Sequence, residues 1–216
     1  MSGEVNADRR PGPGRPSEGA RAKVLGAARE LFAERGYDEV STAMILERAG
    51  VSKGAMYHHF DGKLGLFEQL YVELEDELVG RLAAAATAAR SPVAALRAGS
   101  RAYLRECERP SAWARINLRQ SREVLGADRW RELAADRGYG VIRATVAAAM
   151  EAGEIAPDDA GVVASVYLAA LVEAGLRVAA AAEPRPTREA AGRTLDRLLD
   201  GLAGAGAGSA APPPVQ

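Results

Sequence analysis

The sequence is poor in the residues that build reactive centres. Its 216 residues include one cysteine and two histidines. Cys107 alone can form neither an internal disulfide nor a site with two thiolate ligands. On an Ala- and Leu-rich helix a lone thiol is usually inert packing, and a redox sensor is the alternative. His58 and His59 are neighbours, whose side chains point about 100° apart on a helix. We therefore predict no metal site and no cofactor.

Long apolar runs and an excess of one charge are also missing. The most apolar stretch, residues 162–182, is interrupted by Glu173 and Arg177, so its charge-free part is shorter than the roughly 20 residues of a membrane span. We expect a buried helix there and no membrane partner. The start of the chain lacks the apolar run of a secretory signal, which predicts a cytoplasmic protein. The net charge of −1 argues against indiscriminate nucleic-acid binding but allows a local basic surface.

The two ends of the chain differ in composition from the middle. Residues 1–16 place Arg9, Arg10 and Arg15 among prolines and glycines, which predicts a disordered basic arm. Residues 204–216 are rich in Gly, Ala and Pro and predict a disordered tail. Between them Ala, Leu, Glu and Arg dominate without the alternation of strands. We predict an all-α fold of about nine helices.

Helix caps and prolines give the approximate helix boundaries. Ser17, Ser41 and Ser52 are candidate N-caps, and glycines 36 and 50 are candidate left-handed turns. Pro92 suits the first position of a helix. Later helices are predicted over residues 113–124 and 128–150, within 157–178, and, after two prolines, over 187–202.

Residues 17–64 predict three helices, the last two short and joined by a tight turn at Gly50. Neither short helix buries much surface alone, so Ile45 and Met56 are expected to pack on the first helix. This arrangement is a helix-turn-helix, whose second helix enters the DNA major groove. Spacing of four residues puts Lys53 beside Tyr57, and Gly54 beside His58, on one outward face. Lysine, tyrosine and histidine there can donate to phosphates or base edges, and Gly54 permits a close approach.

Residues 21–67, from Arg-Ala-Lys-Val-Leu through Gly-Val-Ser-Lys-Gly-Ala-Met-Tyr-His-His-Phe-Asp-Gly-Lys-Leu-Gly-Leu-Phe, resemble the DNA-binding domain of TetR-type transcriptional regulators. The resemblance implies a homodimeric, ligand-responsive repressor whose residues 65–203 bind a small molecule and dimerise. Leu46 departs from the usual small residue, and Ala43 and Met44 replace positions that are often polar, which weakens the case for base contacts from the second helix. The DNA contacts that the resemblance implies are Thr42, Ser52, Lys53, Gly54, Ala55, Tyr57, His58 and Lys63.

Candidate ligand contacts lie in the second half of the chain. Trp113, Asn117 and Gln120 share one face of a predicted helix. Buried amides need hydrogen-bond partners, which a ligand could supply, or equally backbone and water. Single aromatic residues are either pocket walls or ordinary core. The candidate pocket residues are Tyr103, Trp113, Asn117, Gln120, Trp130 and Tyr167.

The last two long helices carry a large apolar surface, including Val162, Val166 and Leu198. In TetR-like proteins the corresponding helices form a four-helix dimer interface, which implies two recognition helices facing a pseudo-palindromic operator. The predicted function is a repressor released from double-stranded operator DNA by a small-molecule effector. One alternative is an activator or an effector-independent DNA-binding regulator. Another is a helical enzyme or carrier with a vestigial DNA-binding domain, although no phosphate-binding glycine loop or paired-carboxylate motif is present.

Overall fold

The computed structural model describes residues 18–135 and 137–207, and every regular element in this part of the chain is a helix. This confirms the all-α fold class. The predicted basic arm, the Ser17 cap and residues 208–216 of the predicted tail lie outside the described residues.

The described residues form ten α-helices and one π-helical turn. Their bounds are α1 (Glu18–Arg35), α2 (Thr42–Ala49), α3 (Lys53–His59), α4 (Gly62–Ala86), α5 (Pro92–Glu108), the π-helical turn (Ala114–Leu118), α6 (Ser121–Leu125), α7 (Ala127–Ala135), α8 (Gly138–Glu151), α9 (Ala160–Ala180) and α10 (Pro184–Ala207).

Helices α1 to α3 form a small domain that is completed by the start of α4. The buried stripe of α1 contacts α2, α3 and α4, as its apolar spacing predicted. Ile45 of α2 and Met56 of α3 are fully buried, and Phe67 of α4 packs edge-on against Phe32 of α1 with ring centroids 5.4 Å apart. The long helix α4 continues from this core into the larger domain.

The larger domain is built around α5, which contacts α4, α8, α9 and α10. Ser91 caps α5 by accepting a hydrogen bond from the backbone N–H of Ala94 at 3.3 Å, and Pro92 occupies the first turn. Helix α4 runs from one domain into the other, so a single helix contacts both domains.

Two predicted helices are each divided in the structure. Residues 113–124 form the π-helical turn and α6 rather than one helix, and residues 128–150 are divided between α7 and α8. Gly126 separates α6 from α7 with a φ of +75°, a conformation that side chains other than glycine rarely adopt. Gly140 lets α8 begin against α7, since a Cβ there would lie 2.6 Å from the carbonyl oxygen of Ala135.

The ends of α10 differ from the prediction. The helix begins at Pro184, because prolines in a first turn remove no intrahelical hydrogen bond. It continues to Ala207, past the predicted start of the tail at residue 204.

Helix α9 is buried along one face and exposed along the other, so the expectation of a buried helix holds for one face only. Its buried residues include Tyr167, Leu171 and Val178, whereas Val162 and Val166 are exposed. Among the described helices α9 alone is long and apolar enough to cross a membrane, a test that core helices of soluble proteins also pass.

Candidate DNA-binding surface and internal cavity

Two serine caps and one glycine turn set the geometry of α2 and α3. The Oγ of Ser41 accepts a hydrogen bond from the N–H of Met44 at 3.2 Å, and the Oγ of Ser52 accepts one from Ala55 at 3.3 Å. Gly50 ends α2 in the left-handed conformation with a φ of +63°. These caps satisfy N–H groups that helix starts leave free, so the short helices keep a defined orientation.

One face of α3 is exposed, and it carries the side chains predicted to meet DNA. Lys53, Tyr57 and His58 are exposed, with Tyr57 at 49% of its full accessibility, and Gly54 is exposed between them. The Lys53 ammonium lies 5.7 Å from the centroid of the Tyr57 ring. A cation and a phenol hydroxyl thus lie together on the exposed face of α3, where they can reach phosphates or base edges.

The other predicted DNA contacts surround this face in different settings. Thr42 is the first residue of α2, while Ser52 and Ala55 form the cap and first turn of α3. The ammonium of Lys63 donates to the carbonyl oxygens of Tyr37 and Val40, both at 3.0 Å. The same ammonium lies 3.9 Å from the centroid of the Tyr37 ring, so its contacts in the structure are within the protein, and DNA contact by Lys63 stays a prediction.

An internal cavity lies in the larger domain, among α4 to α9 and the π-helical turn. It offers about 170 Å³ to the centres of water molecules, and its walls are mostly apolar. Both tryptophans of the chain and four of its six tyrosines line it. Sequence reasoning had singled out five of its lining residues: Tyr103, Trp113, Asn117, Trp130 and Tyr167.

Gln120 does not line the cavity, which corrects its assignment as a ligand contact. Its Oε1 accepts from the backbone N–H of Tyr37 at 2.9 Å, and its Nε2 donates to the carbonyl oxygens of Phe32 at 3.1 Å and Arg115 at 2.8 Å. Backbone groups therefore satisfy the amide. The same contacts join the segment after the π-helical turn to the end of α1.

Glu75 of α4 is a cavity residue that the sequence reasoning missed. Its Oε1 accepts hydrogen bonds from Trp113 Nε1 and from Asn117 Nδ2, both at 3.1 Å. Protein atoms surround the carboxyl group, and its remaining accessible surface belongs to the cavity wall. The available signal was position, because Glu75 lies one turn after Tyr71 and one turn before Leu78 on the buried stripe of α4.

Burial raises the pKa of Glu75 above its ordinary value of 4.5, against the opposing effects of the hydrogen bonds from Asn117 and Trp113 and of the positive charge of Arg137. Asp76 adds to the increase. The cavity therefore holds an acid whose charged form is incompletely stabilised by the protein.

Replacing Glu75 with glutamine tests whether the pKa of Glu75 is raised in the folded protein. Since the pKa is higher in the folded protein than in the unfolded chain, the contribution of Glu75 to stability is present below about pH 4.5 and is lost as the pH rises through the folded value. Urea unfolding should show the wild-type free energy of unfolding falling relative to that of Glu75→Gln between about pH 4 and 8. A difference that stays constant over this range would contradict the raised pKa.

The remaining polar groups of the cavity wall are mostly paired. Ser100 Oγ and the Tyr167 hydroxyl lie 2.6 Å apart, and Ser100 also donates to the carbonyl oxygen of Leu96. Behind the wall, burial raises the pKa of Cys107 to about 12. A buried thiol with such a pKa stays protonated at neutral pH, which fits inert packing rather than redox sensing.

Comparison with known proteins identifies both domains. Residues 24–70 match the profile described as bacterial regulatory proteins, tetR family, and residues 93–202 match the profile described as tetracyclin repressor-like, C-terminal domain. The chain belongs to the TetR family. A TetR-family regulator from Pectobacterium atrosepticum has the same fold, with a TM-score of 0.70, 30% sequence identity, and coverage of 86% of this chain and 95% of that one.

The curated relatives match over part of this TetR-family protein. The repressor KstR2 of Rhodococcus jostii is 36% identical over 63 residues, which are 29% of this chain and 31% of the relative. The activator FasR of Mycolicibacterium smegmatis is 41% identical over 64 residues, or 30% and 29% of the two chains. Each match thus spans less than a third of the relative. One of these relatives is named a repressor and the other an activator.

Proposed function

We propose that this TetR-family protein is a cytoplasmic, homodimeric repressor that leaves a pseudo-palindromic operator when a small effector fills the cavity. The observation that carries the proposal is the path of α4. This helix starts at Gly62, shortly after α3 ends at His59, and then lines the cavity with Tyr71 and Glu75. A change in the cavity wall therefore acts on the element that supports the DNA-binding domain.

A second connection between the cavity and the DNA-binding domain supports this coupling. Trp113 and Asn117 line the cavity, and the residues beside them contact the end of α1. Arg115 donates to the carbonyl oxygen of Ala33 at 2.9 Å, and Gln120 contacts Phe32 and Tyr37. By linkage, effector must weaken operator binding by the same factor as operator weakens effector binding, typically about 1–3 kcal/mol.

Dimerisation is proposed through α9 and α10. Val162 and Val166 of α9 are 59% and 66% exposed, and Leu198 of α10 is 45% exposed. Burying such residues against a second copy removes apolar surface from water. A two-fold dimer presents two copies of α3 to two half-sites.

An activator is the second candidate function, because the matched relatives include the activator FasR. The relatives are transcriptional regulators, and we propose no catalytic activity for this chain. A reporter fused to the operator separates the two candidates, since deleting the protein raises expression under a repressor and lowers it under an activator.

Operator binding is the direct test of the proposed function. A labelled duplex from the region upstream of the protein's own gene is titrated at two salt concentrations and followed by fluorescence anisotropy, with an unrelated duplex as competitor. We expect a preference of about 10³-fold or more for the upstream duplex. Binding that shows no preference and disappears at the higher salt concentration would contradict sequence-specific regulation, because phosphate attraction alone explains it.

A further inference from the structure

Glu75 brings a carboxyl group into a mostly apolar cavity, whose lining also includes Arg122, with its guanidinium carbon 5.2 Å from the centroid of the Trp130 ring. Its Oε1 is occupied by two N–H donors, whereas Oε2 has no hydrogen-bond partner among the described residues. Arg137 is the cation whose charge acts on Glu75, but its Nε donates to Asp76 and its Nη1 to the carbonyl oxygen of Leu133, both at 2.9 Å. No described side chain forms an ion pair with Glu75.

Asn117 fixes the position of this carboxyl group. Its Nδ2 donates to the carbonyl oxygen of Tyr71 at 2.9 Å and to Glu75 at 3.1 Å. The backbone carbonyl can only accept, so the amide orientation follows from its partners. Oδ1 is then buried without a partner among the described residues, in a residue that is 5% exposed. Protein atoms cover this oxygen, so Asn117 orients Glu75 and does not offer its own carbonyl oxygen to the cavity.

Aromatic rings form much of the remaining wall. Tyr71, Tyr103, Trp113 and Tyr167 line the cavity together with Glu75, and the Tyr103 and Trp113 rings meet edge to face with centroids 5.6 Å apart. Aromatic faces attract cations, and they also pack against planar apolar groups. A carboxyl group and aromatic faces that line one cavity complement a positive charge that carries N–H donors.

We propose that the effector is a compact apolar amine, whose protonated primary or secondary nitrogen binds Glu75 while its hydrocarbon part packs on the aromatic wall. The volume of about 170 Å³ suits about one ring, since a cavity of roughly 150 Å³ holds benzene. This inference rests on the proposed function, because it names the chemical class of the effector that the repressor senses.

Three matched probes test the charge preference: phenethylamine, phenethyl alcohol and hydrocinnamate, which are respectively cationic, neutral and anionic at neutral pH. Trp113 and Trp130 are the only tryptophans of the chain and both line the cavity, so intrinsic fluorescence reports its occupancy. We expect phenethylamine to bind the full-length protein at least about tenfold more tightly than phenethyl alcohol, the usual advantage of a charge-assisted hydrogen bond. Hydrocinnamate should bind most weakly.

Two variants separate a local contact from a general effect of charge. Glu75→Gln keeps the size of the side chain and should abolish the preference for phenethylamine. Glu151→Gln makes the same substitution at an exposed side chain of α8 that does not line the cavity, and it should retain the preference. Circular dichroism establishes that each variant folds, and the comparison of probes on the wild-type protein requires no variant.

The outcomes distinguish this inference from the proposed function. Equal or tighter binding of the alcohol or the acid overturns the amine class, as does the absence of saturable phenethylamine binding or a preference that survives in Glu75→Gln. None of these results affects operator binding, which is measured without any probe. Conversely, loss of operator specificity contradicts the proposed function and leaves the fluorescence preference intact.

Discussion

Tyr57→Ala and Lys53→Ala are each expected to lower operator affinity about thirtyfold or more. A contact to a base edge or phosphate is worth about 1–3 kcal/mol, and a dimer loses two copies of it, which is about 2 kcal/mol or more. Both side chains are exposed and do not support the core, whereas Met56 on the opposite face of α3 is fully buried. The folded domain and the dimer should therefore remain intact.

Fluorescence anisotropy at several salt concentrations measures this effect and assigns the contact. If Lys53 binds phosphate, Lys53→Ala should reduce the slope of log affinity against log salt by about 2 per dimer, one for each copy. Arg143→Ala is the control, because Arg143 is an exposed cation on α8 of the other domain. Unchanged operator affinity in both α3 variants would mean that another surface binds the DNA.

Val166→Glu is expected to convert the dimer to a monomer and to lower operator affinity by about a hundredfold or more. The side chain is 66% exposed on α9, so the substitution disturbs little inside one protomer. In a dimer interface through α9 and α10, however, it would bury a charge without a partner, which is strongly unfavourable. A monomer binds one half-site and loses the avidity of two linked sites, which is worth about 10² to 10⁴ in affinity.

Light scattering coupled to size-exclusion chromatography measures the mass of the variant, and anisotropy measures its binding. Ala85→Glu introduces the same charge at an exposed position near the end of α4 and serves as the control. A Val166→Glu protein that remains dimeric and binds the operator normally would place the interface elsewhere.

Much of the DNA-binding domain was predictable because its determinants are local. The Ser41 and Ser52 caps and the Gly50 turn depend on neighbouring residues, and the structure has all three. The outward position of Tyr57 and the inward position of Met56 follow from helical spacing alone. The divided helices of residues 113–124 and 128–150 were not predictable in this way, since their breaks involve packing against other segments.

The positions of the polar residues near the cavity could not be predicted from helical spacing alone. Asn117 and Gln120 share a helical face in the sequence, yet Asn117 lines the cavity and Gln120 binds the backbone of another domain. By residue type, nothing in the sequence distinguishes Glu75 from the other glutamates of the same long helix. Only the approach of Trp113 and Asn117 from a distant segment makes it the acidic group of the cavity.

The sequence by itself determined the helical class, the helix-turn-helix and the exposed recognition face, because caps, glycine turns and spacing of three to four residues act within one or two turns of chain. The tertiary structure decided which side chains of the larger domain enclose a cavity and which stripe of α9 stays exposed. Those outcomes depend on contacts between residues far apart in the chain, where a small change in helix boundary or crossing moves a side chain from solvent to core. The chemistry proposed for the effector therefore comes from the tertiary structure, and the DNA-binding surface comes from the sequence.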